Sequence, residues 1–343
     1  MNIGNLQLKL GGEIVITYQE ENTMKVLLAV DTMKTLDILL NFIEARSWPK
    51  GTEAGILAVV EDETVPVETW RAEGYGIGAV RREMQRRGEQ ISGLVIERLR
   101  AIGIPAQVTI MRGDPAFLIP FAARKWSSDL ILIRANNRMK FRNRLLGSVA
   151  KSVVEYAPCS VEVVRAEQSN AAGRNMRILL ATDGSDASLA ASQAIVEMEF
   201  PADTEVKVVS VINPLRYSLE EIGLLRGMDT ERAHHAIGKT VNIFGSAPLK
   251  LTAEVIAGRR VRQIVTRARD WNADLIVVGT AEREGLKRLM SRDTAVEVAN
   301  RAHCSVRVVR GNTVSRREQL PSSTLTEHDK NAMHGLGSLR QAA

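Results

Sequence analysis

The chain has 343 residues, 45% of them hydrophobic and 25% charged, which excludes wholesale disorder and fibrous repeats and suits two domains. Its formal charge is +6, but aromatic residues are only 4%, too few for a base-stacking surface, so specific nucleic-acid binding is not expected. Two cysteines cannot staple a secreted fold, no apolar run nears the roughly 20 residues that span a bilayer, and no secretory signal is readable; the expectation is a reduced, cytoplasmic chain without membrane contact.

Residues 1–23 read as an N-terminal extension with one short alternating piece, Ile14–Tyr18. Met24 opens the segment MKVLLAVD and is a candidate start of the chain. Lys25–Asp31 is an apolar run and predicts a buried strand; Thr35–Arg46 has helical spacing; Ala54–Val60 predicts a second strand. A long helix follows, with Val80, Met84, Ile91, Val95 and Ile102 near the helical period and Arg81, Arg82, Arg86 and Arg87 off that stripe. Gln107–Met111 predicts a third strand. Gly113-Asp114-Pro115 turns into a helix ending at Trp126, with Pro near its first position. Leu130–Ile133, a helix at Ser148–Tyr156 and a strand at Val161–Val164 complete the series. After the linker-like EQSNAAGRN of residues 167–175, strands recur at Ile178–Thr182, Glu205–Ile212, Leu251–Ile256, Leu275–Val278 and Val306–Val309. Residues 311–343 are rich in Ser, Thr, Gln and Gly, lack apolar periodicity and predict a disordered tail.

The two series are copies. APCSVEVVR around Cys159 returns as AHCSVRVVR around Cys304, an offset of 145 that also joins Trp126 to Trp271 and Asp129 to Asp274. VLLAVD, ending at Asp31, matches ILLATD, ending at Asp183, at an offset of 152. The repeat units are 24–166 and 175–310. Near-continuous apolar strands alternating with helices predict, in each, an α/β domain with a parallel sheet covered on both faces.

A strand ending in Asp, a DLIVVG-type strand, a basic loop, a helix opening with Gly-Ser and a final CSVxVVR strand together resemble the universal stress protein family, in both copies and in order. The resemblance implies two tandem Rossmann-like domains of the adenine-nucleotide α-hydrolase type, each a five-stranded parallel sheet. Family dimers pair through the last strand, so the two copies are expected to form an internal pseudo-dimer, with a homodimer of chains also open. One branch of the family binds ATP through a Gly after the fourth strand, a second Gly three residues on and a later Gly-Ser. Glycines let N–H groups approach phosphate, and the following helix offers a positive N-terminus.

Carried over by position, copy one has Asp31 at the end of its first strand, Arg134 and Asn137 at the two Gly places, and an intact Gly147-Ser148. Asn tolerates left-handed backbone, so Asn137 preserves a turn there, while the Arg134 side chain competes for ligand space. Copy two has Asp183-Gly184-Ser185 and Gly279, but Glu282 replaces the second Gly and Arg292-Asp293 the last pair. From residue 134 to 148 the loop carries Arg134, Arg138, Lys140, Arg142 and Arg144 and no acid; from 279 to 293 its net charge is only +1. A cationic loop beside a helix N-terminus favours phosphate, so copy one is the expected ATP site, with Arg138 and Lys140 adding charge. In copy two, Asp293 would satisfy the helix-start N–H groups itself and, with Glu282, repel phosphate.

Plainer roles compete. Asp31 and Asp183 equally suit helix N-caps; Cys159 and Cys304 suit small buried apolar positions; Trp126 and Trp271 suit packing against the sheet. No histidine stands in a strong metal spacing, and no nucleophile–base pair or complete phosphate loop supports an enzyme. Two functions stay open: a non-enzymatic stress regulator that binds an adenine nucleotide and acts through protein partners, or a tandem scaffold with degenerate sites.

Overall fold

The computed structural model describes residues 23–61, 77–135, 146–165, 175–198, 200–201, 203–213, 222–245, 247–280 and 294–311, excluding the side chains of 77–81 and 222–226. The alternating piece at 14–18, most of the interdomain linker and the C-terminal tail lie outside these residues.

The first copy runs β1 (Lys25–Val30), α1 (Met33–Glu44), β2 (Glu53–Val60), α2 (Ile77–Ala101), β3 (Ala106–Arg112), α3 (Pro115–Lys125), β4 (Leu130–Arg134), α4 (Ser148–Tyr156) and β5 (Ser160–Val164). The second runs β6 (Arg177–Ala181), α5 (Asp186–Val196), β7 (Glu205–Ile212), α6 (Ile222–Phe244), β8 (Lys250–Ala257), α7 (Arg260–Asp270), β9 (Leu275–Thr280), α8 (Thr294–Arg301) and β10 (Ser305–Arg310).

All ten strands join one sheet in the order β3-β2-β1-β4-β5-β10-β9-β6-β7-β8. Every pairing is parallel except β5 with β10, where Val161, Glu162 and Val163 face Val308, Arg307 and Val306 antiparallel. The expected pairing of the two last strands is thus present, and each gives up an exposed edge.

Helices cover both faces. α1 and α2 pack on one face of the first half through residues such as Leu39 and Val95. α5 and α6 cover the second half through Ile195 and Phe244. On the opposite face a single apolar layer crosses the domain boundary, joining Leu118 of α3, Val153 of α4, Ile264 of α7 and Val298 of α8.

Local chemistry explains the element ends. The Asp114 carboxylate accepts from the Ala116 N–H at 2.8 Å, and Pro115 opens α3, as the turn signal predicts. The long-helix stripe is corrected at its end. α2 stops at Ala101, Gly103 adopts φ +73°, and Ile102 is left 41% exposed while Leu99 is fully buried. Ile91, Val95 and Leu99 lie in the core against the sheet, and Met84 packs against Val60 of β2. Trp126 and Trp271 do pack against the shared layer. Each follows a helix end and precedes a left-handed residue, Ser127 or Asn272. The aspartate two residues further on then accepts an N–H from the first strand: Lys25 to Asp129 at 2.8 Å, Arg177 to Asp274 at 2.9 Å.

Candidate functional site

In each half the sheet has a switch point, between β1 and β4 and between β6 and β9, where successive connections leave on opposite faces. Ligands of open parallel sheets sit beyond the strand C-termini at such a crevice. Asp31 follows β1 there and is exposed; its carboxylate accepts from the Thr32 hydroxyl at 3.2 Å. The cap of α1 is Thr32, whose Oγ1 accepts from the Thr35 N–H at 3.2 Å. Asp183 behaves alike. Ser185 caps α5, and the Asp183 carboxylate accepts from the Ser185 hydroxyl at 2.6 Å and its N–H at 3.1 Å. Neither aspartate is the helix cap, which corrects the competing reading. Burial raises the Asp183 pKa, but the two Ser185 hydrogen bonds and the charge of Arg260 outweigh it and hold the carboxyl below its usual range.

Gly147 is the N-cap of α4, with extended backbone at φ −64° and ψ 160°. It has no side chain to accept from the first free N–H groups, and Ser148 beside it is exposed. Leu146 just before it is fixed from the other domain: its N–H donates to Oδ1 of Asn300 on α8 at 2.9 Å. Arg134 ends β4, beside Val164, with a buried Nε that makes no hydrogen bond among the described residues. Asn137, Arg138 and Lys140 lie outside the described residues, as do Glu282, Arg292 and Asp293.

Gly279, at the end of β9, has a packing reason of its own. A β-carbon there would stand 2.0 Å from the carbonyl oxygen of Ala187 in α5. Gly184 is likewise crowded, at φ +75°, by Ala236 of α6. Below them, hydroxyls fill the gap between β6, α5 and α6: Thr182 lies 3.1 Å from Ser188 and 2.9 Å from Thr240, all buried.

The domain boundary carries residues that sequence reasoning passed over. The Arg165 guanidinium donates to the carbonyl of Ala299 at the end of α8, and Arg310 donates to those of Val154 and Glu155 at the end of α4. Each cation thus sits at the negative end of the other domain's helix. The Arg165 N–H donates to Ser305 Oγ at 3.1 Å, and the Arg310 N–H to Ser160 Oγ at 3.4 Å. The signal was present, because these are the Ser and Arg of the repeated CSVxVVR. Cys159 and Cys304, which open that motif, are free and buried; burial is the main cause that pushes both thiols up to about 12.

No helix among the described residues is long and apolar enough to cross a membrane. Among the same residues no cluster of His, Cys, Asp or Glu is arranged to hold a metal ion.

The sequence profile of the universal stress protein family matches residues 22–165 and again 174–310. A universal stress protein of Methanocaldococcus jannaschii is 32% identical over 147 residues, covering 40% of this chain and 85% of its own. The solved universal stress protein of Archaeoglobus fulgidus matches 84% of this chain and 98% of its own, at a TM-score of 0.59 and 19% identity. A universal stress protein family protein of Arabidopsis thaliana, solved with AMP bound, covers 43% of this chain and 97% of its own, at 17% identity and a TM-score of 0.30. Two profile matches in order, on two halves that each place five parallel strands among helices, lead to one conclusion: the chain belongs to the universal stress protein family, with two such domains in tandem.

Proposed function

We propose that the chain is a cytoplasmic, non-catalytic stress regulator that binds an adenine nucleotide, ATP in the first instance, at the β1/β4 switch of its first domain and acts through protein partners. The observation that carries this reading is the start of α4. Gly147 leaves the helix N-terminus without a side-chain acceptor, beside a loop with five basic residues and no acid. Phosphate is the chemistry such an end attracts. On this reading Asp31, exposed beyond β1, contacts the nucleotide, and Arg138 and Lys140 of the basic loop supply charge to the phosphates. In the second domain Asp183 engages Ser185, Gly279 is accounted for by helix packing, and Asp293 and Glu282 oppose phosphate, so that site is the weaker.

The test is direct. The full chain is purified, stripped of nucleotide and titrated with ATP and AMP by calorimetry, beside Gly147→Val. Binding that the variant abolishes, with its circular dichroism unchanged, supports the reading; equal affinity in both removes Gly147 and Ser148 from the site. Chains that bind neither nucleotide favour the second reading, a tandem scaffold. Arg134, standing at a glycine position of the binding branch, is the residue that speaks for it.

A further inference from the structure

The repeat offset of 145 makes Glu162 and Arg307 equivalent positions, and the antiparallel register sets them directly opposite each other. They therefore lie on the pseudo-twofold axis between the domains. In a symmetric dimer of identical domains this is the position that would face itself. It is also the variable residue of CSVxVVR: the motif keeps Cys, Ser, Val and Arg in both copies and changes only here, from acid to base.

The pair is deeply buried. Glu162 is 0% and Arg307 4% exposed, and Arg307 Nε donates to Glu162 Oε2 at 2.7 Å. The flanks follow the same asymmetry. Arg46, just past α1, donates to Glu162 Oε1 at 2.8 Å and stacks over Phe42 at 3.9 Å. The position equivalent to Arg46, at the offset of 152, is Met198, and its sulfur lies against Arg307 Nη1. The acid is thus supported by a second cation, whereas the base meets a neutral thioether. Two buried carboxylates, or two buried guanidinium groups, would meet here without water to separate them.

We propose that this four-residue arrangement makes the edge selective for unlike partners. β5 accepts a β10 strand and rejects a second β5, and β10 likewise rejects its own kind. Specificity of this sort needs an element that penalises the wrong pairing as well as one that favours the right one. A single ion pair on the axis does both, because exchanging either strand for its equivalent turns attraction into repulsion. The surface therefore fits the other copy in the same chain, or the unlike strand of a second chain, and excludes contact between identical edges.

The experiment compares three full-length variants by thermal unfolding and by the rate of limited proteolysis of the whole chain. Arg307→Met leaves Glu162 paired with Arg46 and is expected to unfold within a few degrees of the parent. Arg307→Glu sets two acids face to face and is expected to lower the midpoint by on the order of 10 °C and to speed proteolysis. The fourfold exchange Arg46→Met, Glu162→Arg, Met198→Arg and Arg307→Glu reverses the polarity of the whole arrangement and is expected to recover most of that loss. If Arg307→Glu does not fold, recovery of a folded, protease-resistant chain in the fourfold exchange carries the same information. Equal losses in the Met and Glu variants, or a fourfold exchange as impaired as Arg307→Glu, would overturn the proposal.

Discussion

Gly279 and Ala187 approach so closely that a β-carbon on the glycine would stand 2.0 Å from the Ala187 carbonyl oxygen and 2.3 Å from its carbonyl carbon. The obstacle is helix backbone, which cannot turn aside as a side chain does. Gly279→Ala therefore has to lift α5 from β9. Overpacking typically costs about 1–3 kcal/mol, and a backbone obstacle places this change at the upper end. Urea unfolding of the full chain is expected to show the loss in the second domain, with any nucleotide affinity at the proposed first-domain site unchanged. A variant as stable as the parent would contradict the close approach.

Asn300 links the second domain to the start of α4 in the first through its bond to the Leu146 N–H. Asn300→Ala leaves that buried donor unpaired, at about 1–3 kcal/mol. Chemical unfolding should register the loss of stability. If the nucleotide site is where we propose it, ATP affinity falls several-fold in the same variant, because the backbone before Gly147 is no longer fixed. An unaltered affinity would separate the domain contact from the site.

Acid should weaken the domain boundary in a defined window. Burial raises the Glu162 pKa, but Arg307 and Arg46 more than compensate and hold it below the ordinary carboxylate range. A carboxyl with a depressed folded pKa contributes fully above its unfolded value of about 4.3 and loses that contribution as pH falls through the folded pKa. Glu162→Gln lacks the titration. The stability gap between parent and variant is therefore expected to be constant from about pH 7 to about pH 5 and to close below about pH 4.3. Urea midpoints across that range measure it, and a gap that does not shrink as pH falls below about 4.3 would exclude Glu162 as its source.

The two cysteines are expected to be inert in the native chain. Both are buried, with thiols pushed up to about 12, so almost no thiolate exists at neutral pH. A chromogenic disulfide reagent should react with neither thiol in native buffer and with both after denaturation. Rapid reaction of the native protein would show that the region opens readily.

At Gly55 the packing prediction is equally local. A β-carbon there would lie 2.6 Å from the Trp126 ring, so Gly55→Ala displaces the indole and should shift its fluorescence as well as the unfolding midpoint. The equivalent position in the second domain is Lys207, whose ammonium instead lies 4.7 Å over the Trp271 ring.

The sequence by itself determined the two-domain division, the strands and their alternation with helices. Each of those follows from residues close in the chain: the apolar run Lys25–Val30, the Asp114-Pro115 turn, the repeated CSVxVVR. Local patterns report local burial, which is why they were legible without a structure. The tertiary structure decided what depends on residues far apart. Periodicity could not show that α2 ends before Ile102, because Gly103 and the return to β3 set that end. The aspartates at 31 and 183 and the residues after them are all plausible caps by type; the path of the chain assigned the caps to Thr32 and Ser185. The opposition of Glu162 and Arg307 needed the antiparallel register as well as the repeat. A charge reads the same in sequence whether it meets water or its counterpart across a buried axis, and only the fold brings the counterpart there.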